Sequence, residues 1–351
     1  MKIALVAPPF IAVPPKKYGG TELFAGDLVQ GLKQKEILVI LYANGASTAP
    51  VETRWIIEKE EWPISSPVES SLKGLLHSSW AVQDASGEAD VIHVNDAPSL
   101  AFSRFVDLPF VYTVHHAIDP SMTAYYQALP DNIYYVTISD YQRRKLPLSQ
   151  IRTIHHGIDL SRYRVVERKQ PYLVFLGRVA PTKGTHLAIE VAKLSGMPLK
   201  IAGEVQPIYK EYWETKVKPH IDGKFIEFVG DVGPEEKITL LGNATAMIFP
   251  IQWEEPFGLV MIESMACGTP VLAIPRGSVE EIVREGVSGC IRQSAAELAA
   301  CIPNLNLDAG KIREYAQRNF SAERMADDYI SLYKEILASR RHEADAEPIV
   351  A

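Results

Sequence analysis

The sequence predicts an α/β chain built from two consecutive parallel-sheet domains. Short apolar runs, each closed by Gly, Pro or Asn, alternate with stretches of helical periodicity. These runs are apolar throughout, as strands covered on both faces are. The length of 351 residues also exceeds what one hydrophobic core usually organises.

Taken in order, the first set of strands is expected at residues 3–7, 37–42, 91–94, 110–114, 134–138 and 151–155. A second set follows at 173–176, 199–202, 226–229, 246–249 and 271–274. Two such sets predict two Rossmann-like domains in tandem. The apolar pattern is interrupted between Asp159 and Gln170 by Ser161-Arg162-Tyr163-Arg164 and Glu167-Arg168-Lys169. The expected domains are therefore residues 1–163 and 164–321. Met325, Tyr329, Leu332 and Ile336 recur at helical spacing and predict a terminal amphipathic helix over 322–340. Residues 341–351 read as a flexible tail.

Composition narrows the function classes. Hydrophobic residues make up 47% and charged residues 23%, values of a folded globular chain. A net charge of -7 and the lack of a Lys/Arg block argue against a nucleic-acid partner. The spacing of Cys267, Cys290 and Cys301 suits neither a zinc site nor a disulfide framework, and an odd count fits a reducing compartment. The chain opens directly on a strand-like run, without the pattern of a signal peptide. No apolar stretch approaches the roughly 20 residues that span a bilayer. The expected location is the cytoplasm, with peripheral contact at the inner face of the membrane left open.

Several loops between a strand and a helix carry chemistry-bearing residues. Gly19 and Gly20 follow the first strand, where glycines let a backbone approach a ligand closely. His115 and His116 end the strand at 110–114, and Ser139 is placed to cap a following helix. In Gly177-Arg178-Val179-Ala180-Pro181-Thr182-Lys183-Gly184, Arg178 offers a planar fork and Lys183 a point charge. Two such cations on one tight loop can close around a diphosphate. The most informative stretch is Glu254-Glu255-Pro256-Phe257-Gly258-Leu259-Val260-Met261-Ile262-Glu263, with Gly268-Thr269-Pro270 beyond it. A helix starting near Gly258 presents the N–H groups of Gly258 and Leu259, which favour a phosphate. Glu255 stands just before that helix, at the carboxyl end of a strand, where ligands of open α/β sheets bind.

This last passage resembles the E-x7-E motif of the large family of retaining GT-B glycosyltransferases, the group 1, family 4 type. The resemblance spans almost the whole chain and implies two Rossmann-like domains facing each other across a cleft, the terminal helix crossing back to the first. It implies that Glu255 holds hydroxyls of a donor sugar and Glu263 hydrogen-bonds the ribose. Arg178 and Lys183, in a G-R-x4-K-G stretch, resemble the family's Gly-Arg and Lys-Gly arrangement, which implies that they clamp the leaving diphosphate. Gly19 and Gly20 match its Gly-Gly loop, and His115 the histidine facing the transferred sugar, with His116 as the alternative. Val229, Gly230 and Val232 match the turn against the nucleobase, and Phe257, Gly258 and Leu259 complete the donor site. His156 stands where the family usually has Asn, a departure bearing on the acceptor side.

The implied activity is hexosyl transfer with retention, from a nucleotide-sugar donor to a saccharide, lipid or small-molecule acceptor. A UDP-sugar is favoured as donor and GDP-mannose comes next. No Asp-x-Asp motif is present, so neither a metal nor another cofactor is expected. A nucleotide-sugar 2-epimerase of the same fold and a non-catalytic nucleotide-sugar binder remain as alternatives. Oligomeric state is not legible.

Overall fold

The computed structural model describes residues 1–17, 19–64 and 66–346. The chain divides into two compact units. One comprises Met1–Ile138, Gln142–Gly157 and the chain from Ala322 onward; the other comprises Ser139–Tyr141 and Ile158–Ser321.

The first unit is built on a seven-stranded sheet in the order β3-β2-β1-β4-β5-β6-β7. The strands are β1 Lys2–Val6, β2 Leu38–Tyr42, β3 Glu52–Arg54, β4 Val91–Val94, β5 Phe110–Val114, β6 Ile133–Thr137 and β7 Ile151–Thr153. Every neighbouring pair is parallel. Side chains alternate across a strand, and β1 shows both destinations. Ile3 and Leu5 enter a core with Phe24, Leu28 and Leu32 of helix Gly20–Gln34 and Tyr329, Tyr333 and Ile336 of helix Ala322–Ala346. Ala4 and Val6 enter the opposite core, with Ala81, Val82 and Ala85 of helix Pro67–Ala85 and the tyrosines Tyr112, Tyr126 and Tyr135.

The terminal helix is also tied to this sheet by buried polar contacts. His93 Nδ1 lies 2.6 Å from the Tyr333 hydroxyl, and His93 Nε2 lies 2.8 Å from Thr113 Oγ1. Thr113 Oγ1 in turn meets the Tyr329 hydroxyl at 2.7 Å. Burial pushes the His93 imidazole down to about 3, so the network is neutral.

The second unit carries a six-stranded sheet in the order β10-β9-β8-β11-β12-β13. Its strands are β8 Gln170–Leu176, β9 Leu199–Ala202, β10 Ile226–Gly230, β11 Ala244–Phe249, β12 Val271–Ala273 and β13 Gly289–Ile291, again all parallel. In each sheet the strand order reverses once, between β1 and β4 and between β8 and β11. Such reversal points open a crevice at the carboxyl ends of the strands.

Several sequence expectations need correction. The edge strands β3 and β13 were not anticipated, because Glu52-Thr53-Arg54 and Gly289-Cys290-Ile291 lack an apolar run. After the brief passage of Ser139–Tyr141, the chain crosses to the second unit at Gly157–Ile158, ahead of the expected change at 163/164. The terminal helix continues to Ala346, so residues 341–346 are helical rather than tail; residues 347–351 lie outside the described residues. Cys290 and Cys301 are bridged: β13 and helix Ala295–Cys301 fold back on each other, which a separation of 11 residues did not reveal. Cys267 is buried and free.

Candidate functional site

The reversal point of the second sheet gathers the strongest sequence candidates. β11 ends at Phe249, and the following loop leads through Trp253 and Glu255 to helix Leu259–Ala266. On the neighbouring strand, β8 ends at Leu176 and leads through Arg178 to Lys183 and helix Thr185–Ser195. The two loops are stitched together by the Gln252 N–H donating to Thr182 O at 2.8 Å.

Lys183 and Glu255, 72 positions apart in sequence, meet here. Lys183 Nζ donates to Glu255 Oε2 at 2.6 Å, and Trp253 Nε1 donates to the same oxygen at 2.8 Å. The Lys183 ammonium also lies 5.1 Å from the centroid of the Trp253 ring. The side chains are only 18% and 10% exposed, so this ion pair is held partly out of water. Among the described residues, Glu255 Oε1 has no hydrogen-bond partner, which leaves one carboxylate oxygen open to a ligand hydroxyl.

The loop carrying Glu255 is fixed from behind by its backbone. Ser278 N–H donates to Glu255 O at 3.0 Å, and Ser278 Oγ donates to Phe257 O at 2.9 Å. Gly277 makes this approach feasible: a Cβ there would sit 2.2 Å from Glu255 O, and its φ of +65° lies in the left-handed region. Any side chain at 277 would displace the loop.

Arg178 is partly exposed, and its one hydrogen bond among the described residues is a long 3.4 Å contact to Gln206 Oε1. Gly258 caps helix Leu259–Ala266 in a left-handed conformation, and the helix starts within a residue or two of the expected place near Phe257 or Gly258. The Phe257 ring is 1% exposed and packs 6.0 Å from Phe320, so the side chain serves the core rather than a ligand. Val229 and Gly230 are partly exposed at the end of β10, whereas the Val232 side chain is buried. Gly203, at the end of β9, donates from its N–H to Gly230 O at 2.7 Å and ties that turn to the sheet. Glu263 lies deeper, with its side chain 3% exposed. Its Oε1 accepts from the Tyr163 hydroxyl at 2.9 Å and pairs with Lys237 Nζ. The E-x7-E spacing thus yields two carboxylates, each already paired with a lysine.

In the first unit, the reversal point between β1 and β4 adjoins Asn95, with His115 at the end of β5 beside it. Gly19, with φ of 145°, precedes helix Gly20–Gln34; Tyr18 lies outside the described residues. The Glu22 carboxylate packs directly on Gly19, its Oε2 only 2.7 Å from where a Cβ would stand. Burial pushes the Glu22 carboxyl up to about 7, its own backbone N–H offsetting only part of that. His115 Nε2 lies 2.9 Å from Asn95 Oδ1, and its ring is stacked on His156 at 5.3 Å and packed against Phe24 at 4.8 Å. His116 instead turns into the tyrosine core, 2.8 Å from the Tyr126 hydroxyl and 3.2 Å from that of Tyr112. Of the two histidines, His115 is the one beside the reversal point.

Comparison with known proteins decides the family. Residues 18–162 match the model for Glycosyltransferase Family 4, and residues 161–319 match that for Glycosyl transferases group 1. The chain is a group 1 glycosyltransferase with the GT-B fold. It is 27% identical over 312 residues to a glycogen synthase of Mycobacterium tuberculosis, covering 76% of this chain and 72% of that one. Among solved structures it is similar to sucrose-phosphate synthase from Thermosynechococcus elongatus, with a TM-score of 0.81, 21% identity, and 96% and 99% of the chains covered. It is also similar to Anabaena HepE, solved with UDP-glucose, with a TM-score of 0.73, 19% identity, and 97% and 100% covered.

Sequence reasoning left out four residues of this glycosyltransferase that its geometry brings forward. Trp253 lies two positions before Glu255, yet nothing in its spacing predicted an indole N–H on the carboxylate. Lys237 follows Pro234-Glu235-Glu236 in the first turn of a helix and reads as a solvated charge. Tyr163 sits in the segment taken for a domain boundary. Asn95 follows an apolar strand as a turn residue would. Among the described residues, no group of three or more His, Cys, Asp or Glu side chains could hold a metal ion. No helix among them is long and apolar enough to cross a membrane.

Proposed function

We propose that this glycosyltransferase moves a hexose from a nucleoside-diphosphate sugar to a saccharide, lipid or small-molecule acceptor, with retention and without a metal. A UDP-sugar is the favoured donor and GDP-mannose the next. The carrying observation is the Lys183–Glu255–Trp253 cluster at the β8/β11 reversal point. Arg178 and Lys183 supply positive charge for the diphosphate, together with the N-terminus of helix Leu259–Ala266. A diphosphate drawing Lys183 toward itself releases Glu255 Oε2, so the carboxylate can orient sugar hydroxyls and support positive charge at the anomeric carbon.

The acceptor's hydroxyl oxygen then bonds to the anomeric carbon on the face from which the diphosphate oxygen departs. Its proton passes to the leaving diphosphate. Preorganised cations that stabilise the developing phosphate charge are the largest contribution to such a step. Glu263 and the turn at Val229, Gly230 and Val232 are the candidates for ribose and base, and Gly19, Gly20 and His115 are the further candidate contacts to the donor. Anabaena HepE, which bears the same fold and was solved with UDP-glucose, supports the choice of a UDP-sugar. The expected location is cytoplasmic.

Isothermal calorimetry against UDP, GDP and ADP, with and without EDTA, tests this reading. Binding is expected to be tightest for UDP and unchanged by the chelator. Failure of all three to bind, or binding abolished by EDTA and restored by magnesium or manganese, would overturn it.

A further inference from the structure

The hydrogen bonds around Asn95 fix a property of His115 that its position alone does not. Asn95 is buried, and its amide can point only one way. Nδ2 lies 3.0 Å from the Val6 carbonyl oxygen, an acceptor, so that atom must be the NH2 group. Oδ1 therefore faces His115 Nε2 at 2.9 Å, and an amide oxygen can only accept. Nε2 must carry the hydrogen.

The ring is also kept neutral. Burial holds the His115 imidazole well below its ordinary range, and the neighbouring His156, His93 and His116 rings push in the same direction. These come from the segment after β7, from β4 and from the loop after β5; helix Gly20–Gln34 contributes the uncharged Phe24 ring. A neutral imidazole with its hydrogen on Nε2 has a bare lone pair on Nδ1. Among the described residues Nδ1 has no hydrogen-bond partner.

We propose that Asn95 is a positioning residue that holds His115 in the Nε2–H tautomer, making the end of β5 a subsite that accepts a sugar hydroxyl and refuses a carboxylate. The subsite is built for a neutral hexose and against a uronic acid, since an anionic oxygen would meet a lone pair. This rests on the reading that His115 faces the transferred sugar. It goes beyond that reading in naming the protonation state, the residue that sets it and the sugar class it selects. His156, stacked at 19° to the His115 plane, keeps the ring from rotating out of this arrangement.

The test has two readouts on the full chain. Nitrogen-15 NMR of histidine-labelled protein, with His115→Gln used for assignment, reads the tautomer without any sugar present. The expected spectrum has a protonated Nε2 and a bare Nδ1, unchanged from pH 8 to 5.5. Asn95→Asp places an anion on Nε2 and should raise the His115 midpoint by more than one pH unit; Asn95→Ser, which removes the amide oxygen, should give mixed tautomers. The second readout is diphosphate release from UDP-glucose and UDP-glucuronate. The wild type should prefer UDP-glucose by at least about tenfold in kcat/KM, and Asn95→Asp should cut that ratio about tenfold as pH falls through the raised midpoint. A wild-type His115 carrying its hydrogen on Nδ1 overturns the proposal at Asn95. The expected tautomer with equal use of both sugars overturns it at the sugar. Neither result bears on diphosphate binding by the second unit, which calorimetry measures separately.

Discussion

The two reversal points of this glycosyltransferase are built from opposite chemistry. In the second unit, the segments that follow β8, β10 and β11 carry formal charges that neutralise one another, Lys183 with Glu255 and Lys237 with Glu263. In the first unit, burial keeps the imidazoles of His93 in β4 and His156 beyond β7 neutral, both pushed down to about 3, and it pushes the Glu22 carboxyl up to about 7. A paired charge can exchange its partner for a phosphate, whereas a buried neutral imidazole can exchange only hydrogen bonds. The second unit's reversal point therefore suits an anionic group, and the first unit's suits uncharged hydroxyls.

The largest expected effect lies on the charged side. Lys183→Met leaves Glu255 partly buried without its cation and removes a positive charge from the diphosphate site. We expect UDP affinity and turnover to fall together, turnover by about 10² to 10³, as when one preorganised electrostatic contact to developing charge is lost. Steady-state kinetics combined with calorimetry reads both; unchanged UDP affinity would move the diphosphate away from Lys183.

The next effect belongs to the neutral side and is one of stability. Tyr333→Phe removes the hydroxyl that meets His93 Nδ1 at 2.6 Å and leaves a fully buried ring nitrogen unsatisfied. The expected cost is about 1 to 3 kcal/mol, measured by urea unfolding, with UDP binding to the second unit unaltered.

The smallest effect is a pH dependence that separates the units. His77, His93 and His156, pushed down to about 4, 3 and 3, all belong to the first unit. For a histidine with a lowered folded pKa, the unfolded chain binds more protons below its ordinary value near 6.5. Stability is therefore lost as pH falls from about 6.5 toward 4. Glu22 works the other way, because its raised pKa favours the folded state as pH falls from about 7, but it is one group against several. Proteolytic mapping of thermal melts between pH 7 and 4.5 should find the first unit opening before the second. The reverse order would break the comparison.

Much of this arrangement is legible in the sequence. Most strands from β1 to β12 coincide with apolar runs because strands covered on both faces must be apolar; the edge strand β7, Ile151-Arg152-Thr153, was expected within a longer segment at 151–155. Glu52-Thr53-Arg54 of β3 and Gly289-Cys290-Ile291 of β13 carry no such run. Lys183 and Glu255 stood out because each occupies a loop between a strand and a helix, a context that sequence records. Their mutual contact, the Trp253 N–H and the Lys237–Glu263 pair did not, because partners brought together by sheet order leave no local spacing to read. Phe257 shows the converse error: it sits in the most informative motif of the chain, yet its ring serves the core. The tautomer of His115 depends on Val6, Asn95 and β5 at once, so no single motif could have recorded it.

The central claim is that the Lys183–Glu255–Trp253 cluster binds a donor diphosphate and that Glu255 acts on the sugar rather than on the phosphate. The direct test is Glu255→Gln, with UDP binding measured by calorimetry and UDP release from UDP-glucose measured in parallel. The account predicts UDP affinity within about threefold of wild type and turnover reduced by about 10² or more. Turnover close to wild type, or loss of UDP binding in a variant that is folded, would contradict it.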